Sequence, residues 1–364
     1  MQKGKANIVC DGQWGSTGKG KLAGYLARKH DVDVAACDFM PNAGHTWVDD
    51  NGKKVVTCQL PSAVVNDNTS LLLTPGAAID VKKLLKEIEQ HDCSERLIIH
   101  PHAAIVEDVD REYEAKVLGS ISSTQKGCGG SLARKVMRQA KLAKDSAELK
   151  YFIGDTTEVL HGILRKGGTV LLEGAQGFDL SLNHGFHYPY VTSRDVTPMS
   201  LLNNAGLPPF YLGDVYGCIR TYPIRVGDMY DGAGNKIGTS GPYYQDQKEL
   251  TWEDVRAISG AVGPIEERTT VTNKVRRVFT FSWLQMARYI NVCAPTKLFI
   301  NFINHINAED GGKRIYTELS PRSKLWLGHL DEWLASNYND LRTVPRPKIS
   351  FIGTGAKNSD MILV

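Results

Sequence analysis

The sequence predicts an α/β fold of P-loop-like type, with a large, mainly parallel central sheet flanked by helices and elaborated by insertions. Three observations carry that expectation. The apolar run "ANIVCD" at 6–11 closes in a glycine-bearing loop. The segment after that loop, "KLAGYLARKH", turns to helical spacing, with Leu22, Tyr25 and Leu26 on one face. The same alternation of buried strand and helix then recurs down the chain, as a parallel sheet requires.

The elements follow in order. "VAACDFM" at 34–40 reads as a strand, and 71–90, "LLLTPGAAIDVKKLLKEIEQ", as a strand and then a helix with Asp80 as its N-cap. Strands are also expected in "RLIIHP" at 96–101, in "GTVLLEGAQG" at 168–177 and in "TKLFINFINHIN" at 296–307. The run at 210–228, "FYLGDVYGCIRTYPIRVGD", reads as paired strands, and "WEDVRAISGAV" as a helix. The glycine-rich 231–244 should be a surface loop, and 344–360 a terminal strand and turn. No internal repeat or Pro/Ser-rich linker divides the chain, which favours a single elaborated domain over 1–364.

Composition narrows the partners. The 364 residues carry 43 Lys and Arg against 40 Asp and Glu, a net charge of +3, and no polybasic run, so nucleic acid is not an expected partner. No window approaches the ~20 apolar residues of a membrane span. The seven cysteines are scattered singly without a C-x-x-C pair, which argues against a zinc site or disulfide framework and fits a reducing cytoplasm.

The loop "DGQWGSTGKGK" at 11–21 misses the Walker spacing, since five residues separate Gly12 from Gly18. Its chemistry still suits phosphate. Gly15, Gly18 and Gly20 permit close backbone approach, a helix N-terminus favours an anion, and Lys19 and Lys21 add positive charge. A second loop, "MPNAGHTWV" at 40–48, follows the next strand and should bring Asn42, Gly44, His45 and Thr46 to the same sheet edge.

Together, "GQWGSTGKGK" and "NAGHT" resemble the adenylosuccinate synthetase family, whose members carry "GQWGDEGKGK" and "NAGHT". The resemblance continues through "SSTQKGCGGSLARKVMR", "LLEGAQGFDLSLNHGFHYPYVTS", "RVG", "TNKVRR", "TKL" and "GTGAKNSDMIL", in order along nearly the whole chain. It implies a Mg²⁺-dependent ligase that phosphorylates the 6-oxygen of a purine nucleotide and lets the amine of aspartate displace the phosphate.

Carried over residue by residue, the resemblance makes Ser16, His45 and Gln176 catalytic positions, with His45 as general acid, a role open to an imidazole that changes charge near neutral pH. Thr17, Gly18, Lys19, Gly20, Lys21, Thr46, Lys297, Gly353 and Gly355 would hold the triphosphate. Ser16, Asn42, Ala43, Thr124, Gln125, Arg138, Gln176 and Thr192 would bind the nucleoside monophosphate, Arg138 reaching across a homodimer interface. Val226, Thr272, Lys274 and Arg276, followed by Arg277, would bind aspartate; Ser16 and the Gly44 carbonyl would face the metal.

Three departures redirect the substrate. Ser16 stands where the family has a catalytic aspartate, and a serine hydroxyl is no equivalent base. A shorter, neutral side chain beside purine N1 leaves room for an amino group at C2, so the expected acceptor is a guanine nucleotide. Phe299 replaces the aspartate of "TKLD" that pairs with the guanine of GTP. Losing such a charged hydrogen bond forfeits ~1.5–3 kcal/mol of discrimination and makes ATP or dATP the expected donor. Asp11 stands where glycine is usual and is a candidate for part of the missing carboxylate function. These changes resemble the phage branch of the family, which forms the succinylated precursor of 2-aminoadenine deoxynucleotide from dGMP, and would place the enzyme in the host cytoplasm. The competing readings are an ordinary family member using IMP and GTP, a catalytically silent nucleotide-binding regulator, and a generic P-loop ATPase.

Overall fold

The apolar runs become strands buried on both faces, because helices cover the sheet from either side. The computed structural model describes residues 1–269, 274–340 and 342–364. Among these, nine strands form the main sheet: β1 (Ala6–Asp11), β2 (Val34–Cys37), β3 (Ser70–Leu73), β4 (Leu97–Ile99), β5 (Val170–Glu173), β6 (Leu212–Arg220), β7 (Lys297–Asn301), β8 (Lys348–Gly353) and β9 (Met361–Leu363). Their order is β9-β8-β7-β6-β1-β5-β2-β3-β4, all pairs parallel except the terminal β8–β9.

Alternate residues of each strand feed two cores. Ile8 and Leu172 pack with Met286, Ile290, Leu327 and Leu330 on one face. Val9 and Leu171 pack with Leu22, Leu26, Leu84 and Ile88 on the other. Each such aliphatic side chain contributes about 1.5–3 kcal/mol by leaving water. All seven cysteines are buried and free.

Local signals account for the ends of elements. The Asp80 side chain accepts from Lys83 N at 3.1 Å and caps the helix Val81–His91, as its sequence position predicts. The helix Lys19–Lys29 (α1) starts after Gly18, whose φ of 98° lies in the left-handed region. No acidic residue occupies its first turn, so the positive end of its dipole is left for an anion.

The expected strand pair at 210–228 is not formed. β6 runs parallel between β1 and β7, while Ile224–Arg225 pairs with Arg277–Phe279 in a separate antiparallel sheet. All but the first of the nine residues of β6 are buried, which is the pattern of a central parallel strand and not of a hairpin arm. Within 231–244, Lys236–Gly238 pairs with Met229–Tyr230, so the expected loop carries a short exposed hairpin.

Candidate active site

The strand order reverses around β1, and the loops leaving β1, β2, β5, β6, β7 and β8 meet at the carboxyl edge of the sheet. They surround a cavity of about 620 Å³. Its lining includes Lys19, Lys21, Lys54, Lys126, Arg268, Lys274 and Arg276 against a single carboxylate, Glu267, among the described residues. Such a wall selects ligands with several negative charges.

The loop after β1 is built around Asp11. Its Oδ1 accepts Gln13 N at 2.8 Å and Gly15 N at 3.3 Å; its Oδ2 accepts the Thr17 hydroxyl at 2.5 Å and Lys19 Nζ at 3.2 Å. With four donors on a fully buried carboxylate, Asp11 is a scaffold for the loop and is not available as a substitute base or metal ligand. Lys19 Nζ also donates to Gln176 O at 2.6 Å, tying the β1 loop to the β5 loop. Ser16, at φ 57°, stands exposed on the cavity wall.

His45 lies beside this loop, 93% buried and stacked on Phe39 with ring centres 4.1 Å apart. Its Nδ1 is 2.9 Å from Glu173 Oε1, and Glu173, at the end of β5, also accepts the Ser62 backbone N–H and hydroxyl. A carboxylate already fixed by Ser62 holds the proton on Nδ1 and leaves Nε2 for the cavity. Gln176, at φ 58°, donates through Nε2 to Asn42 Oδ1 at 3.2 Å, so two loops present one amide pair.

At the far end, Asn301 wedges between two glycines. A Cβ on Gly18 would lie 2.1 Å from Asn301 Nδ2, and one on Gly353 would lie 2.0 Å from Asn301 Oδ1. Lys21 donates to the carbonyls of Gly355 and Asp360 at 2.7 and 2.6 Å, joining α1 to the C-terminal loop. Burial pushes its ammonium pKa down to about 8, against the pull of Asp360.

Ser16, His45, Gln176, Gly18, Lys19, Gly20, Lys21, Thr46, Gly355, Asn42, Ala43, Gly44, Thr124, Val226, Lys274 and Arg276 all line the cavity. Several other expected residues do not. Lys297 sits at the amino end of β7 and pairs with Asp214 at 2.7 Å, on the opposite edge of the sheet, so it cannot reach the triphosphate. The Thr17 hydroxyl is spent on Asp11, and Gly353 packs behind Asn301. Gln125 and Thr192 lie outside the lining, Thr192 bonding through its backbone to Leu180. Arg138 is exposed beyond helix Cys128–Val136. Arg277 turns away, its guanidinium forked on Glu249. Thr272 and Asn273 lie outside the described residues.

Phe299 is fully buried beneath Gly18 and Gly353 and does not reach the cavity. Asn301, Asn304 and His305 supply polar atoms of the lining at that end. Sequence reasoning missed these three, and also Glu173, Glu267, Lys54 and Lys126. A signal existed for Glu173, a charged residue ending the apolar run "VLLE", and for Lys126, inside the quoted "SSTQK" motif.

Mg²⁺ takes oxygen ligands and keeps several of its waters. Among the described residues no three His, Cys, Asp or Glu side chains form a metal cluster; the one carboxylate of the described lining, Glu267, is paired with Arg220, and the remaining oxygens, such as Ser16 Oγ and the Gly44 carbonyl, are neutral. That fits an ion that keeps waters and takes most of its ligands from substrate phosphates.

A parallel sheet that gathers glycine- and lysine-bearing loops around a carboxylate-held imidazole suits a nucleotide-dependent synthetase. The chain belongs to the adenylosuccinate synthetase family, whose model matches residues 8–145 and 139–308. It is 37% identical over 339 residues to an N6-succino-2-amino-2'-deoxyadenylate synthase of Acinetobacter phage SH-Ab 15497, covering 84% of this chain and 86% of that protein. The same-named protein of Vibrio phage phiVC8 is 39% identical over 315 residues, covering 83% and 86%. Among solved structures, the succinoaminodeoxyadenylate synthetase of cyanophage S-2L, bound to dGMP and dATP as an energy donor, matches with a TM-score of 0.81 and 31% identity over 99% of this chain and 95% of that one.

Proposed function

We propose that the protein joins L-aspartate to C6 of dGMP at the expense of ATP or dATP, giving 2-amino-2'-deoxy-N6-succinyladenylate for the synthesis of 2-aminoadenine DNA. The carrying observation is the composition of the wall around Ser16. The one carboxylate of the described lining, Glu267, is committed to Arg220, so a purine 2-amino group meets a serine and not an acid.

In this reading the N1 proton of dGMP is lost to water, the γ-phosphoryl group passes to the 6-oxygen and the nucleoside diphosphate leaves. The aspartate amine then attacks C6 and phosphate departs. His45 Nε2 donates its proton to the oxygens of the transferring group, while Glu173 steadies the imidazolium form. Gln176 and Asn42 orient the base edge, and Lys19 with the Gly18 and Gly20 amides grips phosphate. Lys274 and Arg276 meet the aspartate carboxylates. Burial depresses the Arg276 pKa and Glu267 partly restores it, so a bound carboxylate supplies the missing compensation. Mg²⁺, held by Ser16 Oγ, the Gly44 carbonyl and phosphate oxygens, would supply charge neutralisation on the phosphates. Arg138 from a second copy would complete the monophosphate site.

The test is turnover of dGMP or IMP with aspartate, Mg²⁺ and each of ATP, dATP and GTP. Product from dGMP with an adenine donor is expected. Turnover of IMP with GTP, and none of dGMP, would overturn the proposal.

A further inference from the structure

One buried arginine touches three walls of the cavity. Arg220, the last residue of β6, is fully buried. Its Nη1 donates to the Ser16 carbonyl at 3.0 Å and to Glu267 Oε2 at 3.2 Å, and its Nη2 donates to Glu267 Oε1. The guanidinium also lies 4.0 Å over the Phe302 ring, and its backbone is held at both N–H and C=O by the Gln13 amide at 3.0 and 3.1 Å.

Glu267 stands at the base of the segment that carries Lys274 and Arg276. Its carbonyl accepts Arg276 N at 2.9 Å, Arg268 bridges Val275, and Thr269 N bonds to Lys274 O at 2.9 Å. Lys274 and Arg276 are thereby tied through the backbone to residues 267–269, where the Glu267 carboxylate meets Arg220. The paired guanidinium cannot relax into water, because it is enclosed and its Nε has no partner among the described residues. Burial opposes the Glu267 charge, and Arg220 more than offsets that, keeping its pKa below the usual carboxylate value and the pair ionised.

Resting on the function proposed above, we infer that Arg220 is a positioning residue that couples dicarboxylate binding at Lys274 and Arg276 to the backbone of Ser16, and so to the nucleotide. Linkage makes this coupling reciprocal: a dicarboxylate tightens dGMP binding by the factor by which dGMP tightens the dicarboxylate.

The experiment titrates dGMP into the full chain with and without saturating succinate, a dicarboxylate that lacks the reacting amine. Wild type, Glu267→Gln and Arg220→Lys are compared, with wild-type turnover of dGMP as the control. In wild type, succinate should tighten dGMP about fivefold or more. In Glu267→Gln the factor should fall below about twofold, with KM for aspartate raised roughly tenfold. Arg220→Lys, which keeps the charge but loses the fork, should give an intermediate factor. Wild-type turnover without coupling, or full coupling in both variants, overturns the inference and leaves the proposed function standing. Absence of dGMP turnover in wild type overturns the function and takes the inference with it.

Discussion

Glu173 determines how His45 is used. The carboxylate is fully buried, holds Nδ1 at 2.9 Å and is itself fixed by Ser62, so the ring is set before substrate arrives. Replacing His45 by Asn should lower kcat about 10²–10⁴-fold, the range for losing a general acid. Glu173→Gln, which keeps shape but donates toward Nδ1 and favours the other tautomer, should give a smaller loss, mostly in kcat and with little change in KM for dGMP. Equal KM and kcat in Glu173→Gln and wild type would remove this account. At this scale the sequence showed which loops line the cavity, because glycine, lysine and histidine cluster after apolar runs. It did not show where a side chain is spent. Thr17 and Asp11 look available in "DGQWGST", yet their oxygens satisfy one another and the loop amides.

Among elements, Lys21 binds α1 to the C-terminal loop. Its pKa falls from 10.5 to about 8 in the folded chain. Below about pH 8 both folded and unfolded chains hold the proton, and the folded one carries the cost of a buried charge. Between about 8 and 10.5 the unfolded chain binds more protons, so this residue's contribution to stability rises with pH across that window, by on the order of 3 kcal/mol. Melting of ligand-free wild type against Lys21→Met between pH 7 and 10 should shift in favour of wild type as pH rises; parallel curves would refute the assignment. Element boundaries near glycine and the Asp80 cap were readable from local chemistry. The placement of β6 was not, since its partners β1 and β7 are some two hundred and eighty residues from each other in the chain. Lys297 was misassigned for a related reason: "TKL" identifies a strand without saying which end meets the cavity.

For the whole molecule, the parallel sheet places its loops at one edge, and the alternation of strand and helix was enough to expect that. The proposed dimer concerns the surface beyond it. Arg138 is exposed and stands outside the cavity lining of its own chain. Mixing Arg138→Leu with His45→Asn, each inactive alone, should restore measurable activity, because a mixed dimer contains one site with both native residues. No recovery after mixing and verified subunit exchange would assign Arg138 to its own chain.

Asn301 has a consequence for how this site can change over time. Its amide fills the space above both Gly18 and Gly353, so a side chain at either glycine collides with it, while a smaller residue at 301 leaves a gap between the two loops. The three positions are therefore coupled: a side chain at Gly18 or Gly353 requires Asn301 to give way, and a smaller residue at 301 makes the room for one.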